Sequence, residues 1–117
     1  MDADENSVHG RIALTFARHV AAGRLHDAHA LLCTALRQQY TQEDLGREYV
    51  EMVGCDPGTA DCIDLISTLT AWPDRQVDDI GWAYVTISGD AFCEAVSVVV
   101  AGVDGQPLVR DLSWGRP

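Results

Sequence analysis

Apolar residues change their spacing once along this chain. In the first half they recur at helical intervals: Ile12, Ala13, Phe16 and Val20; then Leu25, Ala28, Leu31, Leu32, Ala35 and Leu36; then Leu45, Tyr49, Met52 and Val53. Residues three or four apart share one face of a helix, so each set predicts an amphipathic helix with a single buried stripe. From residue 63 onward the runs turn β-branched and strand-like: IDLISTLTAW, GWAYVTI, FCEAVSVVVAG and PLVRDLSW. They predict four strands, the last three joined by two short turns.

The punctuation agrees with these boundaries. Ser7 is placed to cap the first helix after a frayed tail over residues 1–7, and Gly23 to close it. The second helix follows so closely that the two form an antiparallel hairpin. Thr41 opens the third helix with Asp44 in a capping-box pattern, and Gly54 ends it. CDPGTAD is a turn, Pro73 stops the first strand, and the acidic loop PDRQVDD leads to the second. The expected fold is α+β: three N-terminal helices packed on one face of a curved four-stranded antiparallel meander, as one domain over residues 1–117.

Turn chemistry assigns faces to the sheet. A two-residue turn at Gly89-Asp90, with Ser88 opposite Ala91, puts Ala83, Val85, Ile87, Phe92, Glu94, Val96, Val98 and Val100 on one side. Trp82, Tyr84, Thr86, Cys93, Ala95, Ser97 and Val99 fall on the other. The last turn has two readings. A two-residue Asp104-Gly105 loop sets Val109, Asp111 and Ser113 beside Val96 and Val98. A three-residue Val103-Asp104-Gly105 loop sets Leu108, Arg110, Leu112 and Trp114 there instead, and is preferred because it keeps the apolar residues together.

With VAAGRLHDAHALL as a glycine-broken helical hairpin and GQPLVRDLSW as a closing hairpin strand, the chain resembles the NTF2-like (cystatin-like α+β) superfamily. It departs from larger members in having no strand between its second and third helices. The resemblance implies a cone in which the sheet wraps the helices around a pocket. It leaves function open among isomerases, dehydratases, binding subunits and toxin-neutralising immunity proteins.

Charge narrows the choice. Eighteen acids against eight bases give a net charge of −10, which argues against nucleic acid and anionic membranes and permits a basic protein partner. No apolar run approaches the ~20 residues of a membrane span. The acidic start MDADENSVHGR is unlike a signal peptide, so a cytoplasmic location is expected. Four cysteines without a CxxC pair are expected as free thiols in a reducing compartment, with Cys55 and Cys62 the one pair close enough in sequence to compare.

The candidate chemistry is sparse. An isomerase-type cone needs a carboxylate base in an apolar pocket with donors facing it. Glu94, between Phe92 and Val96, is the best carboxylate, Tyr49 a donor, and Arg110 and Trp114 the remaining pocket candidates. Arg110, opposite Val98, and Glu94, opposite Trp114, stand roughly 13 Å apart in this register, so they are not expected to pair. His26 and His29 lie one turn apart but diverge around the helix, and with His19 they complete no ligand set. His29 is expected half-buried and hydrogen-bonded. There is no phosphate loop and no nucleophile elbow.

These residues favour a non-enzymatic binding domain, with an immunity-type role against a basic toxin as its specific form. A small-molecule binder or isomerase/dehydratase using the cone is the alternative. No cofactor or metal is expected. Partner-binding candidates are the loop acids Asp74, Asp78 and Asp79 and the outer-face aromatics Trp82 and Tyr84. Two aromatics beside small residues also predict a covered face. The expected cover is a second copy of the chain, packed sheet to sheet about a two-fold axis as a homodimer; the alternative is local cover by the acidic loop or the C-terminal tail.

Overall fold

A computed structural model of the chain describes residues 4–115. Its elements are α1 (Val8–Ala22), α2 (Leu25–Ala30), α3 (Thr34–Gln39), α4 (Gln42–Val53), β1 (Cys62–Leu69), β2 (Asp79–Gly89), β3 (Phe92–Val103) and β4 (Gln106–Trp114). The strands form an open antiparallel meander in the order β1-β2-β3-β4. The class is α+β, as expected, with four helices in place of three.

Local chemistry starts and stops the helices. Ser7 Oγ accepts the Gly10 N–H at 3.0 Å, and Gly23 closes α1 in the left-handed region. Ser7 is itself held, its hydroxyl donating to the Asp4 carbonyl at 2.7 Å, while the Asp4 N–H donates to Thr68 Oγ1 at 3.1 Å. Asp4–Ser7 is therefore a turn tied to α1 and β1, not the frayed segment expected; residues 1–3 lie outside the described residues. Thr41 and Asp44 complete the reciprocal capping box at 3.0 and 2.9 Å. The backbone N–H of Thr41, joined by Arg47, holds the Asp44 carboxyl below the usual carboxylate range.

The second predicted helix is in fact two. Between α2 and α3 the chain straightens at Leu32 and pairs in parallel with Val109. Cys33 N–H donates to the Val109 carbonyl, and Val109 N–H to the Leu31 carbonyl, both at 2.8 Å. The reason is the edge of β4, whose unpaired backbone groups need partners. Ala28, Leu32 and Leu36 stay buried and Leu25 and Leu31 half-buried, but Ala35 is exposed, so the apolar spacing described most of the stripe while the sheet edge broke the backbone beneath it.

One face of the sheet packs on the helices. Ala83, Val85, Ile87, Val96, Val98 and Val100 are fully buried there with Phe16, Val20, Leu45 and Tyr49. Burying each large apolar side chain contributes about 1.5–3 kcal/mol. Both turns differ in detail from expectation. In the β2–β3 hairpin Gly89 pairs with Phe92, so the loop is Asp90-Ala91. Gly89 serves the strand instead of the turn: a Cβ there would sit 2.8 Å from the Thr59 carbonyl oxygen and 2.9 Å from the Phe92 ring. The pairing moves by two residues, which leaves every side chain on its expected face.

At the last hairpin Val103 pairs with Gln106 across a two-residue Asp104-Gly105 loop, both residues left-handed, in place of the three-residue loop. Near this turn Val109 is buried opposite Val100. A bulge between Val99 and Val100 then admits Arg110 as an extra residue on β4, and Leu112 and Trp114 take the core side opposite Val98 and Val96. The two-residue register thus holds up to the bulge. Beyond it the pairing lies two residues from the three-residue register, with Leu112 in place of Arg110 opposite Val98 and Val96 in place of Glu94 opposite Trp114, so that only the face of Leu112 and Trp114 is as expected. Strand β2 is bulged at the same level, with Asp79 opposite Ala101 and Gly81 opposite Val100. Strand β1 ends at Leu69, short of Trp72, and residues 70–78 form a loop.

Candidate functional site

The two bulges flanking β3 create the polar centre of the molecule. Ile80 is the extra residue on one side of Val100 and Arg110 on the other, and both irregularities re-aim their neighbours. Asp79 and Arg110, 31 residues apart in the chain, meet across β3 on the face away from the helices. Arg110 Nε donates to Asp79 Oδ1 at 2.7 Å and Nη2 to Oδ2 at 2.9 Å, a two-point pair. The Asp79 side chain is fully buried and that of Arg110 is 25% exposed. Arg110 had been expected on the helix-facing side. The bulge turns it outward, since placing its charge among Val98, Val100 and Val109 would leave it without water or a partner.

Asp79 had been expected as a partner-binding acid of the loop, and it is instead buried and held by several hydrogen bonds. Besides Arg110, the Gln76 N–H donates to Oδ2 at 2.8 Å. Burial works against its charge, but the hydrogen bonds from Arg110 and Gln76 and the positive charges of Arg110 and Arg75 outweigh it, holding the carboxyl below the usual range. The reciprocal bond raises the Arg110 guanidinium above its ordinary value. Asp74 and Asp78, the other two loop acids, are exposed.

Arg75 fixes the loop. It donates to the carbonyls of Thr70 at 2.8 Å, Gln76 at 3.2 Å and Asp79 at 2.7 Å, and its guanidinium lies 5.9 Å from the centre of the Trp72 ring. So braced, the loop brings Trp72, Asp74 and Gln76 over the end of the outer face. With Trp82, Ser97, Val99 and β4 residues Arg110–Ser113 they line an open cleft of about 400 Å³. Trp82 stacks on Tyr84, ring centres 6.1 Å apart and planes 15° apart, and both are half-buried. The acidic loop and Trp82 thus border the same cleft. Of the C-terminal tail, residues 116–117 lie outside the described residues.

The pocket candidates do not share one place. Tyr49 is fully buried beneath the sheet, and its hydroxyl has no hydrogen-bond partner among the described residues. Burial raises its pKa, with Cys55 nearby adding to the effect. Trp114 packs on Phe16 at 6.2 Å, its Nε1 likewise buried and unpartnered among the described residues. Glu94 pairs with Ile87, two residues before the Val96–Trp114 pair along β3. Arg110 stands on the opposite face from all three.

The histidines are individually placed. His29 Nε2 lies 2.8 Å from the Tyr40 carbonyl, half-buried as expected, while His19 Nδ1 accepts from Arg24 and His26 Nδ1 meets Gln42 Nε2. His9 was not anticipated: it is buried at the start of α1, and burial lowers its pKa against the pull of Asp4. Among the described residues no three His, Cys, Asp or Glu side chains gather as a metal site. The four cysteines are free; Cys62 and Cys93 are exposed, each in register with Ser88, on the outer face. No helix among the described residues is long and apolar enough to cross a membrane.

Trp72, Gln76, Ser97 and Ser113 of the cleft carried no sequence signal of their own. The alternation of β3 had placed Ser97 on the outer face, but only the loop fold brings Trp72 to it. Comparison of the chain with family models, with curated proteins and with solved structures gives no match.

Proposed function

We propose that this is a non-enzymatic binding domain that receives a basic protein partner on the outer face of its sheet. The observation that carries this reading is the composition of that face. The Trp82–Tyr84 stack is edged by the exposed acids Asp64, Asp74 and Asp111, and the helices pack on the other side. Large aromatics supply rigid contact area, and acids around them select a cationic surface and speed its capture. The chain's net charge of −10 acts in the same direction.

The charge also favours a foreign partner over a second copy, because two such faces would bring like charges together. Within this class an immunity-type role, neutralising a basic toxin, fits the acidic face and the NTF2-like order of elements, with the sheet as the wall of a cone. On the other face, the isomerase-type set is divided by the outward turn of Arg110.

The test is affinity capture from the source cells followed by binding kinetics with the captured protein. A Lys/Arg-rich protein should bind the wild type, associate more slowly as salt rises, and be lost with Tyr84→Arg. Glu43→Gln with Glu51→Gln, on α4, should leave the rate within about twofold. A captured protein indifferent to Tyr84→Arg, or equally sensitive to the α4 acids, would place the interface elsewhere.

A further inference from the structure

The cleft at the edge of the outer face has a more specific composition than the face as a whole. Its lining includes two indoles, Trp72 and Trp82, and three charged groups, Asp74, Arg110 and Asp111. The positive charge of Arg110 is already matched by the buried Asp79 through two hydrogen bonds. What remains is the charge of Asp74 and Asp111. Asp74 makes no ion pair among the described residues. Asp111 bonds only the N–H of Leu112, at 3.0 Å, which leaves its second oxygen for a guest. The net demand of the cleft is thus for a cation, although an arginine stands in its wall.

The aromatic lining narrows the kind of cation. Indole faces attract cations, and a planar guanidinium stacks on them while donating in two directions at once, which a compact ammonium does not. Trp72 already holds one guanidinium, that of Arg75, at 5.9 Å. Arg75 is committed to three backbone carbonyls, so it braces the wall and leaves the cleft to another cation. The volume, about 400 Å³, exceeds what one arginine side chain requires.

From this geometry we infer that the cleft bounded by Trp72 and Trp82 receives an arginine side chain, its guanidinium between the carboxylates of Asp74 and Asp111. The inference rests on the proposed function in taking that arginine to belong to the basic partner. It makes the cleft the anchoring pocket of the outer face and the Trp82–Tyr84 stack the surface around it.

The experiment reads the cleft with no partner present. N-acetyl-arginine methylamide is titrated into the full ¹⁵N-labelled chain and the three indole N–H signals are followed, assigned with Trp72→Phe and Trp82→Phe. Trp114, packed inside on Phe16, is the internal control. Saturable shifts are expected at Trp72 and Trp82 with Trp114 unmoved, at a dissociation constant on the order of 1 mM. Asp74→Asn and Asp111→Asn, both at exposed positions, should each weaken binding about two- to fivefold. The neutral citrulline analogue and N-acetyl-glutamate methylamide should not bind.

Absence of saturable shifts, binding of the citrulline or glutamate analogue equal to that of the arginine probe, or equal movement of Trp114 overturns the assignment. If the cleft fails while Tyr84→Arg still abolishes capture of a basic protein, the partner-binding reading stands without it. If arginine binds and no outer-face partner exists, the reverse holds.

Discussion

The two faces of the sheet are built from the same four strands and differ in almost every physical respect. The face toward the helices is mostly aliphatic and buried at its centre, and two polar atoms packed there, the Tyr49 hydroxyl and Trp114 Nε1, have no partners among the described residues. The outer face is interrupted, and its charges are organised: Asp79 pairs with Arg110, Arg75 braces the loop, and two tryptophans line a cleft beside unpaired acids. One face was shaped by apolar burial and tolerates idle polar atoms. The other spends two strand bulges to set a charged pair in position. Where a small protein arranges charge at the cost of regular pairing, function is the first place to look.

The largest expected effect tests the inner face. Phe16→Ala removes a fully buried ring that also packs on Trp114, and should destabilise the fold by about 3–5 kcal/mol in urea unfolding. A loss below about 1 kcal/mol would mean the core lies elsewhere. On the outer face Asp79→Asn should cost about 2–3 kcal/mol, less than for a wholly buried pair because Arg110 reaches water. If Asp79→Asn is neutral, the pair is a surface contact and the bulges need another explanation.

The same pair has a pH signature. The Asp79 carboxyl is depressed in the folded state, so its contribution is fully present above the unfolded value of about 3.9 and is lost as pH falls through the folded value. The stability difference between wild type and Asp79→Asn should therefore be flat from about pH 7 to pH 5 and shrink below about pH 4. Taking the difference removes Asp44, whose carboxyl is depressed in the same direction. A difference that instead changes near pH 6 would implicate a histidine.

Smaller effects sharpen the contrast. Tyr49→Phe deletes an unpartnered buried hydroxyl and should be neutral or stabilising by up to about 1 kcal/mol by thermal melting. A clear loss would reveal a partner for that oxygen. Tyr84→Arg should change stability by less than about 0.5 kcal/mol, since Tyr84 is half-buried on the outer face. Light scattering should find wild type and variant alike monomeric; a wild-type dimer abolished by Tyr84→Arg would show that a second copy occupies this face.

What the sequence determined by itself was everything that depends on period and sign. Spacing of three and four identified the helix stripes, alternation identified the strands, and the parity of β2 and β3 put Trp82, Tyr84 and Ser97 outward even though the turn was misplaced by one residue. Those properties survive because a side chain's face depends only on whether its position is odd or even along a strand. The tertiary structure alone decided where that parity breaks. The edge of β4 drew Leu31–Cys33 out of a helix that local spacing supported. The bulge at Arg110 let Val109 and Leu112 both reach the core, which no single register allowed. The Asp79–Arg110 pair spans a strand lying between them, and Trp72 comes to line one cleft with Trp82 through the loop that Arg75 braces. Each is a contact between residues that sequence distance leaves unrelated. Its energy comes from satisfying backbone groups and charges that become neighbours only after the sheet has formed.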